Sequence, residues 1–164
     1  MKIKICFIKK GFLLGLFIGL LVAIRKPVLF WVEYFNELNK LMEKYRRYNG
    51  LLQQWLRLKN MGKNIETYFI ERDIRRIAIY GMGDLGNRLY EEMKSSVVEV
   101  VYGIDQNKEN VFSEIPIYSS EDELPAADAI IVTPYLSYAQ IIQKIKQKFQ
   151  GNIISLEDII YSIY

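Results

Sequence analysis

Histidine is absent from this 164-residue chain, and cysteine occurs once, at Cys6. Without an imidazole, neither a Ser-His nor a Cys-His nucleophile system can be assembled, and a lone thiol cannot hold a structural zinc. A single cysteine also excludes an intrachain disulfide. The length allows one domain with an appendage, but not two full cores. Acid is scarce in the first part of the chain: residues 1–63 carry 13 Lys/Arg against 3 Glu, a net +10. Residues 64–164 carry 9 Lys/Arg against 16 Asp/Glu, a net −7, so the overall +3 hides two segments of opposite sign.

Charge asymmetry of this kind points to a membrane surface or a nucleic acid as partner. Here the cations flank a hydrophobic run, which makes anionic lipid head groups the simpler partner. No nucleic-acid recognition motif accompanies the charge, and nucleic acid is not expected. Hydrophobic residues make up 51% of the sequence, and the excess is concentrated near the N-terminus.

Residues 11–24, GFLLGLFIGLLVAI, form an uninterrupted apolar stretch of 14 residues. As a helix it would reach about 21 Å at 1.5 Å per residue, short of the roughly 30 Å hydrocarbon layer. Val22-Ala23-Ile24-Arg25-Lys26 offers no small-x-small cleavage pattern, so a retained anchor is expected over a cleaved signal. It could span by extending through Phe30-Trp31-Val32, or re-enter at Pro27. Lys2, Lys4, Lys9 and Lys10 precede the run and Arg25 and Lys26 follow it, so flanking charge does not set the orientation. Gly11, Gly15 and Gly19 share one helical face, which in lipid would let another helix approach closely.

Residues 31–64 predict an amphipathic helix and a linker. Trp31, Phe35, Leu38, Met42, Tyr45, Leu52 and Leu56 recur at spacings of three and four, with one gap of seven. Such a stripe suits either the membrane interface or a helical contact with a second copy. Asn49 and Gly50 are expected to bend or split the helix. Asn60-Met61-Gly62-Lys63-Asn64 should stop it, and the folded domain should start near Ile65.

The strongest signal follows. Arg76-Ile77-Ala78-Ile79-Tyr80 has the pattern of a buried parallel strand, and it runs into Gly81-Met82-Gly83-Asp84-Leu85-Gly86. A helix with Leu85, Leu89 and Met93 on one face comes next. Then Val97–Ile104 reads as a second strand, ending at Asp105. Strand, G-x-G-x-x-G, helix, strand and acid form the dinucleotide-binding unit in the order its mechanism requires. The first glycine permits a tight turn, the second admits a pyrophosphate, and the third lets helix pack on strand. The helix start supplies free N–H groups for an anion. Asp105, 19 residues past Gly86, stands where an acid accepts ribose hydroxyls, which favours NAD over NADP. Asp105-Gln106-Asn107 equally suits a simple turn. Asp84 is expected to cap the helix, which would occupy the amides a phosphate needs and repel its charge.

A third strand is expected at Ile115–Tyr118, a capped helical turn at Ser120–Glu123, and a fourth strand at Ala129–Val132 ending in Thr133-Pro134. An amphipathic helix should cover residues 136–149, with a last strand at Asn152–Ser155 and a closing helical turn at residues 156–160. The fold class is thus α/β: a short, doubly wound, parallel, Rossmann-like sheet in residues 65–164. It is preceded by an anchor in residues 1–30 and the amphipathic helix. Ligands bind such sheets beyond the strands' carboxyl ends. That rule gathers Gly81 to Gly86, Asp105, Gln106, Asn107, Thr133 and Pro134 on one rim. Tyr135 and Tyr138 lie near it, but no lysine stands at the spacing that would make either a base.

Residues 76–160 resemble the small Rossmann-like, CoA-binding-like domain ahead of the catalytic part in membrane-bound nucleotide-sugar dehydratases of capsule synthesis. Similar domains occur in polyprenyl-phosphate sugar-phosphate transferases and in sugar acyltransferases. The resemblance is carried by Tyr80–Gly86, Gly103-Ile104-Asp105-Gln106-Asn107, Ile115–Tyr118 and Ile154-Ser155-Leu156-Glu157-Asp158. It implies a membrane-associated protein with this domain in the cytoplasm, working in surface-polysaccharide or glycan synthesis. The sequence carries no counterpart of those enzymes' catalytic parts, so the resemblance implies a setting and not a reaction. The expected role is a module that binds a nucleotide or nucleotide-sugar beside a glycan-building enzyme. A docking protein with a degenerate domain is the alternative, followed by an NAD-dependent epimerase or dehydrogenase subunit.

Overall fold

A computed structural model describes residues 2–134 and 137–163; for residues 2–18, 20–24 and 26 it describes the helical backbone alone. The chain divides into two compact units, Met1–Arg47 and Tyr48–Tyr164.

The first unit is helical. Helix α1 runs from Lys2 to Asn60 and so continues into the second unit, with Pro27 inside it. No re-entrant turn forms at Pro27, and Asn49 and Gly50 do not split the helix. The apolar run at 11–24 lies, Gly19 apart, outside the described side chains. Among the described residues no helix is long and apolar enough to cross a membrane.

The second unit is an α/β domain on a five-stranded parallel sheet. After the last turns of α1 come α2 (Glu66–Ile70), β1 (Arg76–Tyr80), α3 (Asp84–Met93), β2 (Glu99–Ile104) and β3 (Ile117–Tyr118). β4 (Ala129–Val132), α4 (Tyr138–Ile145), β5 (Asn152–Ser155) and α5 (Leu156–Ser162) complete it. The strand order is β3-β2-β1-β4-β5, every pair parallel. That is the order of doubly wound sheets, in which the first strand lies centrally and the chain reverses direction beside it.

The strands are apolar at every central position because both faces of the sheet are covered. Alternate side chains point to opposite faces. Ile77 and Ile79 of β1 and Ala129 and Ile131 of β4 therefore enter a core with α3 and α5. Ala78, Tyr80, Ile130 and Val132 enter a second core, capped by Ile141 and Ile145 of α4. No α-helix joins β2 to β3 or β3 to β4, so α4 serves that second face with loop residues such as Leu124. The helical turn expected at Ser120–Glu123 is a hydrogen-bonded turn, closed by Asp122 N–H donating to the Ser119 carbonyl at 3.1 Å.

The domain begins at Tyr48, earlier than Ile65, because the end of α1 belongs to its core. Leu51, Trp55 and Leu58, spaced four and three apart, are buried against α3 and α5 side chains. The apolar stripe read from sequence included Leu52 and Leu56 here; the buried face is one residue round from it. Glu92 of α3 fixes this packing. Its side chain is almost fully buried and accepts hydrogen bonds from Trp55 Nε1 at 2.8 Å and the Ile65 amide at 3.0 Å. Lys59 Nζ stands 2.6 Å from the same carboxylate. A hydrogen bond from Lys63 N–H to the Leu58 carbonyl and one from Gly62 N–H to Lys59 end the helix as the sequence leads one to expect.

Candidate nucleotide site

β1 delivers the chain to the carboxyl edge of the sheet at Gly81, whose φ of +89° an L-residue rarely adopts. A Cβ there would also stand 2.8 Å from the Pro134 ring and from Thr133 Oγ1. Only glycine fits both constraints. Gly86 is required for a second reason: a Cβ would lie 2.1 Å from the Gly81 carbonyl oxygen, so α3 could not come down onto the loop. Gly83 is different. Nothing lies within 4 Å of where its Cβ would be, so the protein's own packing does not demand glycine there.

The N-cap of α3 is Gly83, and no side chain caps it. Asp84, expected to be that cap, is instead the first helical residue, with its charge close enough to bear on the Tyr48 phenol. Burial, and then the Asp84 charge, push the Tyr48 phenol above its ordinary value. Among the described residues no acceptor meets the N–H groups of Gly83, Asp84, Leu85 or Gly86. These are the orphan donors of a helix start, carrying its partial positive charge.

The loop is held from the side by β2. Gly81 N–H donates to the Ile104 carbonyl at 2.7 Å, and Met82 N–H donates to Asp105 Oδ2 at 2.9 Å. The other oxygen, Oδ1, accepts from the Asn107 amide at 2.8 Å. Asp105 therefore does the turn chemistry that its Asp-Gln-Asn context allows and, at the same time, clasps the glycine loop. Thr133, also expected on the rim, is buried; its hydroxyl donates to the Gly81 carbonyl at 2.7 Å and lies 3.2 Å from that of Tyr80. It fastens β4 to β1 and does not face a ligand space.

A cleft of about 560 Å³ opens at this edge, between the β2 end and the start of α4. It brings together Gly81, Asp105, Gln106, Asn107 and Pro134. Met82 and Leu85 are buried in the α3 core instead. The other wall comes from Tyr80 and from Ser137, Gln140 and Lys144. Ser137, at the N-cap of α4, and the α4 residues Gln140 and Lys144 were missed by motif reasoning, although a ligand at a strand-order switch point is flanked by the helix after β4. Lys144 is the cation of the cleft, ion-paired to Glu121 at 2.5 Å. Tyr135 lies outside the described residues. Tyr138 donates to the Ile153 carbonyl at 2.9 Å, tying α4 to β5, and burial raises its phenol pKa.

The fold and this edge define an α/β parallel-sheet domain with a glycine loop whose first residue lines a polar cleft. Set against protein-family models, curated proteins and solved structures, the chain matches none of them.

Proposed function

We propose that this chain is a membrane-anchored accessory protein whose α/β domain binds a nucleotide or nucleotide-sugar. The observation that carries this is the uncapped start of α3. Among the described residues the N–H groups of Gly83, Asp84, Leu85 and Gly86 meet no acceptor, and they follow a loop whose first glycine lines the cleft. An anionic phosphate would satisfy those donors. A sugar or base would lie against Gln106, Asn107 and Gln140. Anchoring falls to the apolar run at 11–24 with its flanking lysines and arginines, and the resemblance to capsule enzymes supplies glycan synthesis as the setting and a glycan-building enzyme as partner.

A non-binding docking protein is the second possibility, and one observation favours it: both Asp105 oxygens are engaged by backbone amides, so the acid is less available to a ribose. Thermal-shift titration of the full chain in detergent separates the two. Binding predicts a concentration-dependent rise in melting temperature with NAD, a UDP-sugar or CoA at millimolar concentration, abolished by Gly83→Val. No rise with any of them leaves the docking role. Carbonate washing of membranes from expressing cells tests the anchor, which keeps the chain in the pellet.

A further inference from the structure

One apolar stripe of α1 is exposed from Val28 to Tyr45. From Val28 through Trp31, Phe35, Leu38, Met42 and Tyr45 the spacing alternates three and four without a break; Asn49, Leu52 and Leu56 keep the spacing, but Leu52 is half-buried against the domain's core. These are successive a and d positions of a single heptad register. Trp31, Phe35, Met42, Tyr45 and Leu56 are 54–61% exposed, while the domain draws Leu51, Trp55 and Leu58 from another face of the same helix. Charge avoids the seam. Glu33, Glu37, Lys40, Glu43, Lys44 and Arg47 all fall at b, c or f, and among the e and g positions from 32 to 48 only Arg46 is charged.

We propose that a second copy of this chain covers the stripe, as a parallel, in-register coiled coil over residues 28–49. Three features select that occupant over lipid. A straight helix drifts about 20° per heptad against a strict seven-residue repeat, so a stripe kept in register over three heptads matches a supercoiled partner and not a flat surface. From Glu33 to Arg47 the opposite face carries three Glu and three Lys/Arg, with Glu37 and Lys40 bonded at 3.0 Å. That balance suits water and gives no net pull toward anionic head groups. Burying the half-exposed side chains from Val28 to Tyr45 in two copies removes on the order of 1,100 Å², which clears the roughly 1,000 Å² of a specific interface. Asn49 at an a position meets its own copy only when the helices run parallel in register, the use to which a lone polar a residue is put.

The test uses the full chain carrying Cys6→Ser, in membranes of expressing cells, with Leu38→Cys at a d position and Lys40→Cys at an f position. Mild oxidation should give covalent dimer several-fold more efficiently from Leu38→Cys. Light scattering of the detergent-solubilised chain should give a protein mass of two chains, falling to one in the Leu38→Lys/Met42→Lys double variant with helical circular dichroism unchanged. Equal cross-linking at both sites, or a single-chain mass for the unaltered protein, overturns the proposal. So does labelling of Leu38→Cys by a lipid-confined reagent without cross-linking, which assigns the stripe to the bilayer. Nucleotide binding is independent of this result: either can fail while the other holds.

Discussion

The carboxylate of Asp105 reaches back across the sheet edge to the amide of Met82, accepting its hydrogen bond at 2.9 Å, while its second oxygen holds the Asn107 amide. One side chain thus fixes the glycine loop and the turn after β2 together. Asp105→Ala releases both amides and should cost about 1–3 kcal/mol, the range for stranding hydrogen-bond donors. Asp105→Asn keeps one acceptor oxygen and should cost less. Urea unfolding followed by tryptophan fluorescence measures both, and an alanine variant as stable as the parent would show that the clasp does not hold the loop.

Two glycines of the same motif should separate fold from binding. At Gly86 a methyl group would sit against the Gly81 carbonyl, so Gly86→Ala must push α3 off the loop or unfold it. A loss of about 1–3 kcal/mol is expected, as for overpacking elsewhere in cores. At Gly83 the methyl meets open space. Gly83→Ala should melt within a degree or two of the parent, yet weaken any nucleotide response because it narrows the approach to the free amides. Equal melting temperatures for the two variants would contradict the packing described here.

Much of this was legible in the sequence where local chemistry and burial act together. β1 and β4 are apolar runs, after Arg76 in β1, because helices or loops cover both faces, and the glycine loop announced itself by its place between strand and helix. Asp84 misled because a carboxylate at a helix start usually caps it; here the helix starts one residue later than that role requires, with Gly83 at the cap and Asp84 already helical. The domain boundary misled for a related reason. Leu51, Trp55 and Leu58 share a helix with a broader, more aromatic stripe, and sequence periodicity does not say which of two apolar faces meets the domain. The α4 wall of the cleft was hidden because Ser137, Gln140 and Lys144 belong to no motif and are placed only by the crossover from β4.

Glu92 should prove the most sensitive polar residue in the domain. Its carboxylate meets Trp55 Nε1, the Ile65 amide and Lys59 in a largely buried setting. Glu92→Ala leaves the indole and amide donors unmet, at a cost of about 1–3 kcal/mol for the stranded donors. Because Trp55 is one of two tryptophans, the variant should also shift the emission maximum of the folded protein. An unshifted spectrum with parental stability would mean that α1 does not dock on α3 through this carboxylate.

Acid should loosen the domain at the opposite edge of the sheet, where Asp128 Oδ2 accepts from the amides of Arg75 and Arg76, each at 2.8 Å. Those backbone hydrogen bonds hold its carboxyl below the ordinary 3.8. The unfolded chain therefore takes up the proton at a higher pH than the folded one. The stabilisation is fully present above pH 3.8 and is lost as pH falls through the lower, folded value. Glu114, Glu121 and Asp122 are lowered as well, through Lys94, Lys144 and, for Asp122, first the Ser119 amide and then Lys108, though water screens these exposed groups and the expected loss rests on Asp128. Asp128→Asn keeps an oxygen for the two amides but cannot titrate. Its urea midpoint should start lower at neutral pH and fall less between about pH 5 and pH 2 than the parent's, the two curves converging. Curves that stay parallel through that window would mean that the Asp128 charge contributes nothing to holding β4 against β1.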